Sequence, residues 1–317
     1  MFAFSHDLGD VTGAAEKLFS LGIIQDQVID FAGLPDGKMR PVPGLWRSYW
    51  LDDMGSVKEF FHTYNYAKGL MNRLDSIIWK SSVDVGGVDY ATITSLSLRQ
   101  LFGGLQYAGT ADKPYIFLKE ISSNSDIQTV DVIFPAIPAI LYMNPNLTRY
   151  LLDPLFENQE SGVYPNKWAI HDLGTFPVAK GYPAGDDEPM PLEECGNMII
   201  LTLAYAQRTG DTQYLKDHYP RLAQWADFLI QDSLIPANQL STDDFAGELA
   251  NQTNLAIKGI IGLKAMSQIA NLTGHQDTYG TTADDYLAKW EQLAVITDPE
   301  SGLSHTTLSY GDNSSHG

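Results

Sequence analysis

Basic residues and cysteine are both scarce in this chain. Twenty Lys and Arg stand against 39 Asp and Glu over 317 residues, a formal net charge of −19. That balance repels phosphate backbones and anionic lipid surfaces, so neither nucleic acid nor a membrane is an expected partner. The single cysteine, Cys195, leaves no internal disulfide to form. No apolar run reaches the roughly eighteen residues that a spanning helix needs. The opening MFAFSHDLG has neither a basic n-region nor an apolar h-region, so no signal peptide is visible in this chain. Also missing are a G-x-S-x-G elbow, an H-E-x-x-H zinc helix, a Walker loop and a G-x-G-x-x-G turn. No cofactor and no metal is expected on these grounds.

What is present is an apolar content of 44%, enough for a sizeable core. Sequons occur at Asn146, Asn251, Asn271 and Asn313, which are therefore candidate N-glycan sites. Together with the acidity they favour an extracellular, secreted protein whose leader is not part of this chain.

Residues 1–50 are dense in Pro, Gly and aromatics and have no helical period. They read as the tail of a β-rich domain and a linker. Residues 51–317 read as a second, mainly α domain. Phe60, Tyr64, Ala67, Met71, Leu74 and Ile78 recur at helical steps, with Ser56 and Glu59 as a capping box. YATITSLSLRQLFGGLQ is a second helix, stopped by Gly103-Gly104. KPYIFLKEISSNSDIQTVDVIFP reads as a β-hairpin turning at SSNSD, with Lys119, Glu120 and Ser122 as polar candidates on it.

Two later blocks share one plan: an almost wholly apolar helix, a Thr-Gly stop at 209–210 or 273–274, then an amphipathic helix carrying Trp225 or Trp290. Apolar inner helices each followed by a half-wetted outer one suit a ring of helical hairpins. The expected fold is thus mainly α, an (α/α) six-hairpin toroid with a small inserted β-hairpin and a β/loop remnant in front.

His-Asp-Leu-Gly occurs twice, at residues 6–9 and 171–174. The first copy reads as an incidental turn. The second runs into GYPAGDDEPMPLEECGNM, where Asp186, Asp187 and Glu188 read as turn formers. Glu193 and Glu194 suit the first turn of a helix on dipole grounds. Yet that helix is of the inner type, which places Glu193, Glu194 and Asn197 where water is scarce, with His171 and Asp172 meeting the same end. Buried carboxylates are costly unless paired or functional, and gathered ones can act as an acid and a base. Asp243-Asp244 is either a second such pair or a helix cap. Cys195 is either a buried structural thiol or a nucleophile at a helix start.

YPNKWAIHDLGTFPVAKGYPAGDDEPMPLEECGNMIILTLAYA, FLKEISSNSDIQTVDVIFPAIPAILYMNP and STDDFAGELANQTNLAIKGIIGLKAMS together resemble the fungal secreted glutaminase A family, over roughly residues 50 to 295. The resemblance implies an N-terminal β-rich domain, a six-helical-hairpin toroid shared with many glycoside hydrolases, and an extracellular enzyme converting L-glutamine to glutamate and ammonia. Family members are considerably longer, so the chain is expected to be a fragment or truncated product with an unclosed ring and exposed inner-helix surface. The motif positions the match transfers are His171, Asp172, Glu193, Glu194, Asn197, Asp243 and Asp244.

Roles for these residues come from chemistry. Asp172, Glu193 and Glu194 are the candidate catalytic carboxylates: one, Glu194 or Asp172, deprotonates a water and another protonates departing ammonia. Arg99 would hold the α-carboxylate of a small-molecule substrate, and Asp243 or Asp244 its α-amine. Asn197 or helix N–H groups would stabilise the oxyanion. The rival is a glycoside hydrolase, in which Trp168, Tyr164 and Tyr182 would face a sugar. An inactive remnant is the third reading.

Overall fold

The computed structural model describes residues 5–120, 124–242, 247–299 and 301–315. Asp243, Asp244 and Ser122 lie outside the described residues.

The chain begins with β1 (Gln27–Ala32) and β2 (Met39–Pro43), antiparallel, then α1 (Asp53–His62) and the long α2 (Tyr64–Gly104). Asp52 caps α1 by accepting from the Gly55 amide at 2.7 Å, so the cap is Asp52 rather than Ser56. The expected seam does not lie on one helix, because the chain breaks at Thr63 between α1 and α2. Nor is it core: Phe60 is 67% exposed and Met71 58%. Gly87, at φ 81°, folds α2 back on itself. The two limbs meet through a 2.9 Å hydrogen bond from Thr94 Oγ1 to Ser82 Oγ.

α2 ends at Gly104, as Gly103-Gly104 predicts, and enters β3 (Leu105–Gly109), which pairs antiparallel with β4 (Pro114–Leu118). The inserted hairpin therefore exists and turns at residues 110–113, and the chain doubles back again across SSNSD, where Lys119 bridges Ile127 antiparallel and the Gln128 amide donates to the Leu118 carbonyl at 2.9 Å. TVDVIF is the start of a helix instead, α3 (Val130–Met143), followed by α4 (Asn146–Glu160). Its β-branched residues pack as a buried helix face, with Val130, Ile133, Ile137 and Ile140 all in the core. Tertiary burial overrides β-propensity here. A two-residue strand, β5 (Val178–Ala179), adds in parallel to β1.

The remaining helices are α5 (Pro191–Thr209), α6 (Thr212–Asp217), α7 (Tyr219–Asp232), α8 (Thr253–Thr273) and α9 (Gly280–Ala294). A small hairpin of β6 (Val295–Thr297) and β7 (Ser304–Thr306) follows. Gly210 and Gly274 end α5 and α8 in the left-handed conformation, with φ 77° and 81°. The fold is mainly α, with the helical hairpins of a six-hairpin domain. α5 is buried along most of its length and packs between α3 and α8. α7 and α9 lie outside, each with one wetted face.

Close approach of α5 and α8 is made by glycine. A Cβ on Gly196 would stand 2.8 Å from Lys258 Cγ, and one on Gly262 would stand 3.2 Å from the Gly196 Cα. Only a missing side chain permits that spacing. It sets the residues of the two helix starts against one another.

Candidate active site

The second His-Asp-Leu-Gly is pinned from several sides. Gln159 Oε1 accepts from the Ile170 amide at 3.0 Å, and Asp187 Oδ2 accepts from the His171 amide at 3.0 Å. Asp172 Oδ1 accepts from the Gly174 amide at 2.5 Å, closing an Asx turn. The His171 carbonyl accepts from the Val130 amide at 2.8 Å, which ties the segment to the first turn of α3. That turn is itself fixed by buried Gln128, whose amide group spans Leu118, Ile116 and Leu151. Asp131, in that first turn, faces His171 as a result.

Five side chains then converge. His171 Nδ1 lies 2.8 Å from Asp172 Oδ2, and Tyr182 donates to Asp172 Oδ1 at 2.8 Å. The other ring nitrogen, Nε2, faces Asp131 Oδ1 at 3.7 Å, too far for a hydrogen bond. One atom each of Asp131, His171 and Glu194 lie within 4.8 Å of one another. Their residues are 9%, 4% and 0% exposed.

The electrostatics follow from that burial. Complete desolvation holds the Glu194 carboxyl well above the usual range, and the Asp131 and Glu193 charges add to the effect against His171 and Asn197. Burial likewise raises Asp131, opposed by His171 and Thr242. Burial alone would lower His171, but the Asp172 hydrogen bond and the charges of Glu194, Asp172 and Asp131 push it up to about 10.

A second cluster adjoins the first on α5. Asn197 Nδ2 donates to Glu194 Oε2 at 3.1 Å and lies 3.4 Å from Glu193 Oε1. Lys258 Nζ, from the first turns of α8, donates to Glu193 Oε1 at 2.5 Å and to Asn197 Oδ1 at 2.7 Å. It also sits 4.0 Å from the Phe134 ring centroid, a close cation–π contact.

Residues 87–317 match the family model described as the glutaminase A six helical-hairpin domain, and residues 1–81 match a domain of unknown function, DUF5127. The chain belongs to the glutaminase A family. It is 53% identical over 321 residues to glutaminase A of Aspergillus oryzae, covering 100% of this chain and 46% of that protein. It is 36% identical over 358 residues to a probable glutaminase of Arthroderma benhamiae, covering 93% of this chain and 40% of the relative. The chain thus spans less than half the length of these glutaminase A relatives.

Of the residues expected from sequence, His171, Asp172, Glu193, Glu194 and Asn197 are brought together. Arg99 is not. It is exposed on the second limb of α2 and lines a groove of about 800 Å³ with Met71, Leu74, Trp79 and Phe102, none of them a member of the acidic cluster. Trp168 packs its ring on Phe228 of α7, 5.7 Å between centroids, rather than on the carboxylates. Asn197 has both ends of its amide engaged, which makes it a brace between Glu193, Glu194 and Lys258 and not a free oxyanion donor. Lys119 stacks over Phe176, whereas Glu120 accepts from Thr129 Oγ1 at 3.0 Å and adds its charge to the field at Asp131. Tyr164 donates to Asp187, so these two form a support beneath His171.

Cys195 is fully buried and its thiol accepts from the Ala169 amide at 3.2 Å. Burial pushes that thiol well up, which disfavours the thiolate a nucleophile requires. Two members escaped sequence reasoning. Asp131 sat inside a segment that reads as strand. Lys258 left a usable signal, the only charge in the apolar stretch NLAIKGIIG.

Proposed function

We propose that this protein is a secreted glutaminase, hydrolysing the side-chain amide of L-glutamine to glutamate and ammonia at the start of α5. The observation that carries the reading is the buried cluster of Asp131, His171 and Glu194, present in a chain whose relatives are named glutaminases. Amide hydrolysis needs a polarised water, a counter-charge for the oxyanion and a proton for the leaving nitrogen. Glu194, Asp131 and His171 supply acid–base groups in a water-poor setting, where each interaction is stronger than in solution. Asp172 acts through His171, fixing its ring with Nε2 turned towards Asp131. Lys258, paired with Glu193 and Asn197 beside the cluster, takes the role of anchoring the substrate carboxylate that the sequence assigned to Arg99.

One observation favours a second reading, retaining glycoside hydrolysis. The nearest oxygens of Asp131 and Glu194 lie within 4.8 Å, close to the roughly 5–5.5 Å between carboxyl groups in retaining enzymes. Ammonia release from L-glutamine, beside reducing-sugar release from a glycan panel, separates the two. Ammonia alone, lost in Glu194→Gln with an unchanged circular dichroism spectrum, is the expected result. Sugar release without ammonia, or a fully active Glu194→Gln, overturns the glutaminase assignment.

A further inference from the structure

Asp131, His171 and Glu194 lie close together without bonding to one another. Asp131 Oδ1 and Glu194 Oε1 are both buried with no hydrogen-bond partner among the described residues. His171 spends Nδ1 on Asp172 and turns Nε2 towards Asp131 Oδ1 at a distance that makes no hydrogen bond. Polar atoms so placed are normally satisfied, and two orphaned carboxylate oxygens from side chains clustered with one imidazole call for a shared positive partner.

We propose that these three side chains form a binding site for a divalent transition-metal ion, held by Asp131 Oδ1, His171 Nε2 and Glu194 Oε1. Three points support it. The donor set, one imidazole and two carboxylates, suits zinc, manganese or iron better than calcium or magnesium. Bond lengths of about 2.0–2.2 Å to zinc put tetrahedral ligand atoms about 3.4 Å apart, and one ligand atom from each of the three side chains already lies within 4.8 Å of the others. The support around them is also of the kind metal sites use. Asp172 bonds the far nitrogen of the ligand histidine and is itself held by Tyr182 and the Gly174 amide. Asn197 holds the other oxygen of Glu194. Three protein ligands would leave a coordination position for water or an amide oxygen, as in catalytic rather than structural sites.

The competing neutraliser is protons: an imidazolium at His171 with a protonated carboxyl beside it needs no metal. Zinc binding, read without substrate, decides between them and stands apart from the glutaminase assignment. Chelator-treated protein is titrated with Zn²⁺ in a calorimeter, and metal content after dialysis is measured by mass spectrometry. The expected result is one zinc per chain, weakened more than about 100-fold in Asp131→Asn and Glu194→Gln, and about 10–100-fold in Asp172→Asn, whose side chain is not a ligand. Asp153→Asn, remote from the cluster, should bind as the parent does. Circular dichroism of each variant separates lost binding from lost folding. No zinc or manganese binding tighter than about 100 μM, or binding unchanged in both ligand variants, overturns the site. Zinc bound with no ammonia release would keep the metal site and reject the glutaminase reading.

Discussion

Gly196 of α5 and Gly262 of α8 meet so closely that a Cβ on Gly262 would lie 3.2 Å from the Gly196 Cα and 2.8 Å from Leu229 Cδ1. This contact lets Lys258 reach across to Glu193, so helix packing and site assembly are one feature. Gly262→Ala and Gly259→Ala should each lower stability by about 1–3 kcal/mol through overpacking, more than the roughly 1 kcal/mol that alanine gains in helix propensity. Gly69→Ala in α2, which meets nothing within 4 Å, should be neutral or stabilising by up to about 1 kcal/mol. Urea denaturation measures all three, and a Gly262→Ala as stable as Gly69→Ala would refute the tight contact.

Lys258 is the cation that Glu193 is buried against. Replacing it with Met leaves Glu193 without its partner, at a cost on the order of 3–5 kcal/mol. The double variant Lys258→Met, Glu193→Gln should recover much of that loss. Equal stability of the single and double variants would mean that Glu193 is neutralised by another group.

Cys195 should be inert in the folded protein. Iodoacetamide is expected to label it only after denaturation, and Cys195→Ala to retain the activity of the parent. Rapid labelling of the native protein, followed by mass spectrometry, would contradict the buried thiol described here.

Asp153 on α4 gives a pH dependence away from the site. Burial raises its carboxyl above the ordinary 3.8, against the Tyr214 hydrogen bond of 2.9 Å and Arg149. A raised carboxyl binds its proton more tightly in the folded state, so its contribution to stability is largest below the unfolded value and falls as pH rises from 3.8 upwards. Asp153→Asn should therefore gain on the parent between pH 3 and neutrality, as followed by thermal melts across that range. A difference that does not vary with pH would rule out the burial argument.

Among the sequons, Asn146, Asn271 and Asn313 are exposed, whereas Asn251 is half-buried at φ 59° with its backbone bonded to Pro236 and Tyr310. If the protein is secreted, glycans are expected at the first three and not at Asn251. Glycopeptide mapping of protein secreted from a fungal host tests this, and an occupied Asn251 would be incompatible with the loop seen here.

The helical plan and half of the site were legible in the amino-acid order alone. Apolar periods and Gly stops are local properties, so α5, α8 and their left-handed caps at Gly210 and Gly274 were legible. The Glu193–Glu194–Asn197 start of α5 was legible too, because charge entering an apolar helix is visible without coordinates. The two His-Asp-Leu-Gly copies show where that reach ends. Both form the same turn, with Asp7 accepting from the Gly9 amide at 2.8 Å as Asp172 does from Gly174, yet His6 is exposed and His171 buried. The sequence set the first copy aside as an incidental turn, but the cause of the difference is tertiary: Gln159, Asp187 and the first turn of α3 enclose the second copy. Tertiary structure also brought in Asp131 and Lys258 and left out Arg99 and Trp168, because which side chains share a buried space depends on helix spacing. Here that spacing is set by glycines on two helices more than fifty residues apart, a relationship that no local pattern carries.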